Sequence, residues 1–231
     1  MCFSAGASFA GGIIISAIGI VTIKKVHKPS QIVFACIPLF FGFQQIAEGI
    51  VWLTVPLPEY AGMQKIATYI FQTMALVIWP VMIPFSVLHM EKSKKKKKIL
   101  FILLMVGVIL SLYYSYCLLF LNVTPQIRGY HVQYNTDFPV TLTMIAFLFY
   151  LAVTITPLFV SSIKRTHLLA ILMTFSCLVT AIFFKQYLTS VWCFFAALIS
   201  GVILWILNDS RKTFKLEKLQ LLMNPIVRKP D

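Results

Sequence analysis

The chain reads as an all-α integral membrane protein, a bundle of seven transmembrane helices with the amino terminus outside and the carboxyl terminus cytoplasmic. Three observations predict this. First, 231 residues that are 59% hydrophobic and 12% charged, with a mean hydropathy of +0.88, carry too few polar side chains to wet the surface of a soluble domain. Second, the apolar residues fall into seven runs, at 5–23, 31–53, 66–88, 99–121, 140–163, 168–184 and 191–207. Each is near the length a helix needs to cross about 30 Å of hydrocarbon. Third, 17 of the 20 Lys and Arg lie in alternate loops and the tail, against Lys65, Arg128 and Lys185 on the opposite side. Basic loops resist translocation, so the 17 mark the cytoplasmic face and require an odd number of crossings.

The elements follow in order. The first run opens without a basic leader and closes on Lys24, Lys25 and Lys28, so it reads as a retained span and not a cleaved signal peptide. Ser4, Ser8, Gly12 and Ser16 place small residues four apart on it, a stripe that permits close packing and makes this span a central element. Pro80 and Pro84 bend the third span and Pro157 the fifth. Residues 122–139 form a long outer loop, and residues 1–207 make one transmembrane domain. Residues 208–231 are a basic cytoplasmic tail in which Phe214, Leu219, Leu222 and Met223 alternate with charge, as in an interfacial amphipathic helix. No internal repeat of the kind duplicated transporters carry is evident.

A net charge of +13 is accounted for by topology and by anionic headgroups at the cytoplasmic face, the lysines at 94–98 above all. Membrane lipids are the expected partners, and nucleic acid is not. The bacterial inner membrane is the expected location.

Function is sought where polar groups oppose lipid. Glu48 is the only acid inside a run, and Gln44, Gln45 and Trp52 stand three and four residues from it on one helix face. Such a stripe serves either as a packing network between helices or as a site. The outer side supplies partners: Cys2, which gains a free amine beside its thiol if Met1 is removed, and His131, Tyr134 and Asp137 of the long loop. Tyr187, Trp192 and Cys193 lie at the same depth. Thiol, imidazole and carboxylate together suit one transition metal ion, zinc before others, with Cys2, Glu48 and His131 as ligands. In an enzyme, Glu48 would ligate or transfer protons, Cys2 ligate or attack, and His131 ligate or act as base, with Gln44, Gln45, Trp52, Tyr134 and Asp137 binding the ligand. A proton- or cation-linked sensor or transporter-like binder, and a structural subunit, are the alternatives. A second metal set of His27, His89, His167 and Asp209 on the cytoplasmic side is weaker, because each position is also a headgroup position. The cysteines lack metal-finger spacing and require no disulfide.

The opening Met1-Cys2-Phe3-Ser4-Ala5 and the motif Gln44-Gln45-x-x-Glu48-Gly49-x-Val51-Trp52-Leu53 resemble an uncharacterised bacterial family of multi-pass membrane proteins. The resemblance implies the same topology and singles out Cys2, Gln44, Gln45, Glu48 and His131, without naming a substrate. The architecture is also similar to that of the alkaline-ceramidase group, but the intrahelical histidines and aspartates of that group have no counterparts here. A rhodopsin-type reading fails on the missing lysine of the seventh span.

Overall fold

The computed structural model describes residues 4–208. Among the described residues the chain forms seven apolar helical rods and one β-hairpin, in accord with the predicted all-α bundle. The rods are α1 (Ala5–Lys24), α2 (Ile32–Thr54), a rod in which α3 (Ala61–Gln72) runs on into α4 (Trp79–Met90), α5 (Lys94–Phe120), α6 (Val140–Val160), α7 (Lys164–Phe183) and α8 (Leu188–Ser200), which continues helically to Asn208. Six are long and apolar enough to cross a membrane, and in α6 the apolar stretch is the shorter Met144–Val160. The proposed tail helix at 214–223 lies outside the described residues, as does Asp209.

Local chemistry explains the helix ends and interruptions. Ser4 caps α1 by accepting from the Ala7 N–H at 3.2 Å. Pro29 opens the turn into α2, where its missing N–H costs nothing. Between α3 and α4, residues Thr73–Ile78 widen into a π-helical turn in which the Trp79 N–H reaches back to the Met74 carbonyl. The next residue, Pro80, has no N–H, so the Ala75 carbonyl loses its helical donor. The Tyr150 hydroxyl of α6 donates to that carbonyl at 2.7 Å, and the Ser111 hydroxyl of α5 donates to the Val77 carbonyl at 2.5 Å. Two side chains from neighbouring helices thus stabilise an irregularity that lipid alone would not tolerate. Gly107, one turn before Ser111, lets α5 close on the Pro80 carbonyl; a Cβ there would lie 2.0 Å from that oxygen.

The small-residue stripe does bring α1 onto α2. A Cβ on Gly12 would lie 2.8 Å from Ile46 Cγ1 and 3.0 Å from the Gly42 carbonyl oxygen, and one on Gly42 would overlap Ser16. The expectation that α1 is central is corrected, however. Its far face carries exposed Ile13, Ile14, Ile20 and Val21, whereas α2 buries residues all round, from Phe34 and Phe41 to Gln44, Gln45, Glu48 and Val51. Close approach on one stripe makes a helical hairpin, and only contact on several faces makes a centre.

The long loop is not irregular. It folds as an antiparallel hairpin of β1 (Val123–Arg128) and β2 (His131–Thr136), turning through Gly129 and Tyr130. Gly129 has φ of 60°, the left-handed value a two-residue turn with glycine at its first position requires. Val132 of β2 is fully buried against Val51 of α2 and Ala67 of α3, and Tyr134 stacks on Phe71 at 5.0 Å, so the hairpin caps this end of the bundle.

At the opposite, basic end, Glu91 ties the turns together. Its carboxylate accepts from the Lys92 and Ser93 N–H groups at 2.8 Å each, and from the Ser162 N–H and hydroxyl at 2.7 and 2.9 Å. Burial alone raises its pKa, but the hydrogen bonds from Ser93, Ser162 and Lys92 outweigh it and hold the carboxyl below its ordinary value. Arg165, at the start of α7, lies 4.0 Å over the Trp205 ring, so the basic turns gather at one end.

Candidate functional site

Glu48 is fully buried on α2, three residues before Val51, which packs on Val132 of the hairpin. Its Oε1 accepts from the Ser190 hydroxyl of α8 at 2.5 Å. One turn deeper, the Gln44 amide donates to Cys193 Sγ at 3.2 Å and accepts from Trp79 Nε1 at 2.8 Å, while Trp79 stacks on Phe41 at 3.9 Å. The antiparallel helices α2 and α8 are thus joined by two rungs, Glu48 with Ser190 and Gln44 with Cys193. The i, i+4 spacing of Gln44 and Glu48 sets the distance between the rungs.

Gln45 is different. It is fully buried, yet neither its amide nitrogen nor its carbonyl oxygen has a hydrogen-bond partner among the described residues. On α3, which packs against α2, Thr68 Oγ1 and Gln72 Nε2 are buried and equally without partners there. Each such group costs about 1–3 kcal/mol if left unpaired, and three side chains of this kind in one packed pair of helices are unusual.

The sequence-derived candidates separate accordingly. Glu48 and Gln44 hold α8 and α4, and Gln45 supplies unspent hydrogen-bonding capacity. Trp52 is half-buried against the Val51, Ala67 and Val132 cluster, and Tyr134 reaches the same region through Phe71. His131 opens β2 and packs its ring on Tyr187 at 4.6 Å and Phe184 at 5.2 Å. Burial lowers its pKa, which favours the neutral imidazole. Asp137 does not join the site. It is exposed at the base of the hairpin, where its N–H donates to the Asn122 carbonyl. Cys2 lies outside the described residues. No group of three His, Cys, Asp or Glu side chains gathers among the described residues. At the basic end His89 packs on Phe85, and His167 Nε2 lies 3.0 Å from the Ser161 carbonyl, so these two serve local contacts.

Sequence reasoning missed Ser190, Thr68, Gln72 and Glu91. Thr68 and Gln72 carry the signal that singled out Gln44 and Glu48, polar residues four apart inside an apolar run. Ser190 carries none, because a lone serine in a helix ordinarily bonds its own backbone, as Thr22 and Thr54 do here.

No curated protein and no solved structure matches the chain. A family model described as a family of unknown function, DUF6629, matches residues 1–218, and the chain belongs to that family.

Proposed function

We propose that the protein is a seven-span membrane protein of the bacterial inner membrane whose Glu48-centred cluster binds a small polar or cationic ligand. In this reading its basic end faces the cytoplasm and its hairpin end faces outside. One observation carries the site: the buried Gln45 amide, with neither polar atom paired, stands one turn from a buried carboxylate. A ligand offering both a donor and an acceptor would satisfy Gln45, Thr68 and Gln72 together, and a positive charge on it would offset the cost of Glu48 inside the bundle. Ser190 orients the carboxylate, and the hairpin excludes water and headgroups. The narrower form of this reading places zinc or another transition metal ion on Glu48, His131 and Cys2. The distribution of basic residues supports the orientation.

The test is elemental analysis and native mass spectrometry of the full chain purified in mild detergent, beside Glu48→Gln, Gln45→Leu and His131→Ala. The expected result is a near-stoichiometric adduct that Glu48→Gln and Gln45→Leu both lose while remaining helical. If the adduct is a metal, His131→Ala loses it as well. A native chain without adduct, whose unfolding temperature no metal or polar solute raises, would make the stripe a packing network only.

A further inference from the structure

The π-helical turn at Thr73–Ile78 does more than bend the third rod. π-Helical turns and prolines are the usual pivots of a helix, and here Pro80 follows the turn directly. Two carbonyls of the turn are held by side chains of other helices: Tyr150 of α6 donates to Ala75 at 2.7 Å and Ser111 of α5 donates to Val77 at 2.5 Å. A bond to a neighbour's hydroxyl breaks and re-forms without unwinding either helix. The angle between α3 and α4 can therefore change through two side-chain contacts, with the rest of both helices intact.

Room for such a movement lies on both sides of α4. Toward lipid is a cleft of about 520 Å³, with Val77, Val81 and Phe85 in its wall. Toward the bundle interior, Trp79 and Ile83 line a cavity of about 20 Å³, and Ala75 and Leu76 line one of about 40 Å³. The two inner cavities share Tyr150, Trp192 and Cys193 as walls. Each is of a size that holds a water molecule or two. A close-packed interior resists displacement of a helix, and these gaps are where the packing on α4 is interrupted. On α5, Gly107 presents no side chain for the Pro80 carbonyl to pass.

Trp79 is the first residue past the turn, and its place gives the pivot a consequence. Its ring stacks on Phe41, and its Nε1 donates to Gln44, whose amide in turn donates to Cys193 Sγ. Phe41, Gln44 and Glu48 stand three and four residues apart on α2, so this layer lies about one turn beneath Glu48 on the side of the basic end. We propose that Trp79 is a gate on that side of the Glu48 cluster, carried by α4 about the π-helical turn and latched shut by Gln44. Movement of α4 toward the lipid-facing cleft withdraws the indole from Gln44 and Phe41 and joins the cluster to the cavity lined by Trp79 and Ile83. That the gate serves a ligand rests on the reading of the Glu48 cluster as a binding site; that it moves does not, and the movement is measured without any ligand.

Cys193 reports the state of the latch, because its Sγ accepts from Gln44 and lines both inner cavities, which are too small to admit methyl methanethiosulfonate. The full chain in lipid nanodiscs is treated with that reagent, and the rate at each cysteine is read by mass spectrometry of its peptides. Cys117, buried on α5, is the internal control for general loosening. Trp79→Phe keeps a ring on Phe41 but loses the bond to Gln44. It should raise the Cys193 rate roughly threefold to tenfold, the effect of one neutral hydrogen bond, with Cys117 unchanged. Ser111→Ala should raise it as well, although Ser111 lies in the wall of the cleft and acts on α4 through the Val77 carbonyl. Val81→Trp should fill the cleft and suppress the added labelling in both backgrounds. A Cys193 rate that Trp79→Phe and Ser111→Ala leave unchanged, or that rises only in step with Cys117, would overturn the proposal. So would a rise indifferent to Val81→Trp, which marks a leak past a smaller side chain and no movement of α4. Trp79→Phe and Ser111→Ala only shorten side chains, so their two rates remain decisive if Val81→Trp does not fold.

Discussion

Replacing Glu91 by Gln should destabilise the bundle and remove a pH dependence at the same time. Four donors converge on the carboxylate: the N–H groups of Lys92, Ser93 and Ser162 and the Ser162 hydroxyl. A glutamine keeps one oxygen and places an NH₂ where the other stood, setting donor against donor at one of these positions. Hydrogen bonds to a charged acceptor contribute about 1.5–3 kcal/mol each and an uncompensated donor costs about 1–3 kcal/mol, so the loss should be about 2–4 kcal/mol. The sign of the pH effect follows from the lowered pKa. The carboxylate's contribution is fully present above the unfolded-state value of about 4.5 and is lost as pH falls through the lower folded-state value. Unfolding in mixed micelles, followed by tryptophan fluorescence from pH 7 to pH 3, should show the native chain converging on Glu91→Gln in acid. A variant equal to the native chain at pH 7, or a constant gap across the range, would refute the clamp.

Gly107→Ala should cost about 1–3 kcal/mol or more, because the new Cβ meets the Pro80 carbonyl oxygen at 2.0 Å and neither backbone can swing away. Gly62→Ala, with nothing within 4 Å, is the matched control and should unfold at or slightly above the native temperature. Gly129→Ala forces a side chain onto φ of 60° at a cost of about 1–2 kcal/mol, and faster amide exchange at Val132 and Tyr134 should report the loosened hairpin. His131 should titrate below its ordinary value of about 6.5 by NMR and stay neutral at pH 7; protonating the half-buried ring should weaken the hairpin as pH falls further.

The sequence showed what hydrophobic length and charge can encode. Seven apolar runs became seven rods, and the α2 stripe became buried polar groups, because an acid among apolar residues has few places to go. Partners remote in sequence were harder to read: Ser190 meets Glu48 across 142 positions, and no local pattern announces such a pair. The hairpin is hard to read from sequence because its alternation is weak and Pro125 interrupts it, and its one turn signal is the pair Gly129 and Tyr130 between Arg128 and His131. The small-residue stripe on α1 does not mark a centre, because spacing reports how closely a helix packs on one neighbour, and nothing about how many neighbours it has. Asp137 was grouped by loop membership, which says little about the direction of a side chain.

The proposed function rests on the Glu48 cluster holding a ligand within the bundle. A high-resolution density map of the full chain in a lipid nanodisc tests it most directly. A non-protein feature is expected within hydrogen-bonding distance of the Gln45 amide, in contact with Glu48 and absent from the Gln45→Leu map. A Gln45 amide fully paired to protein side chains, with apolar packing on every other side, would contradict it.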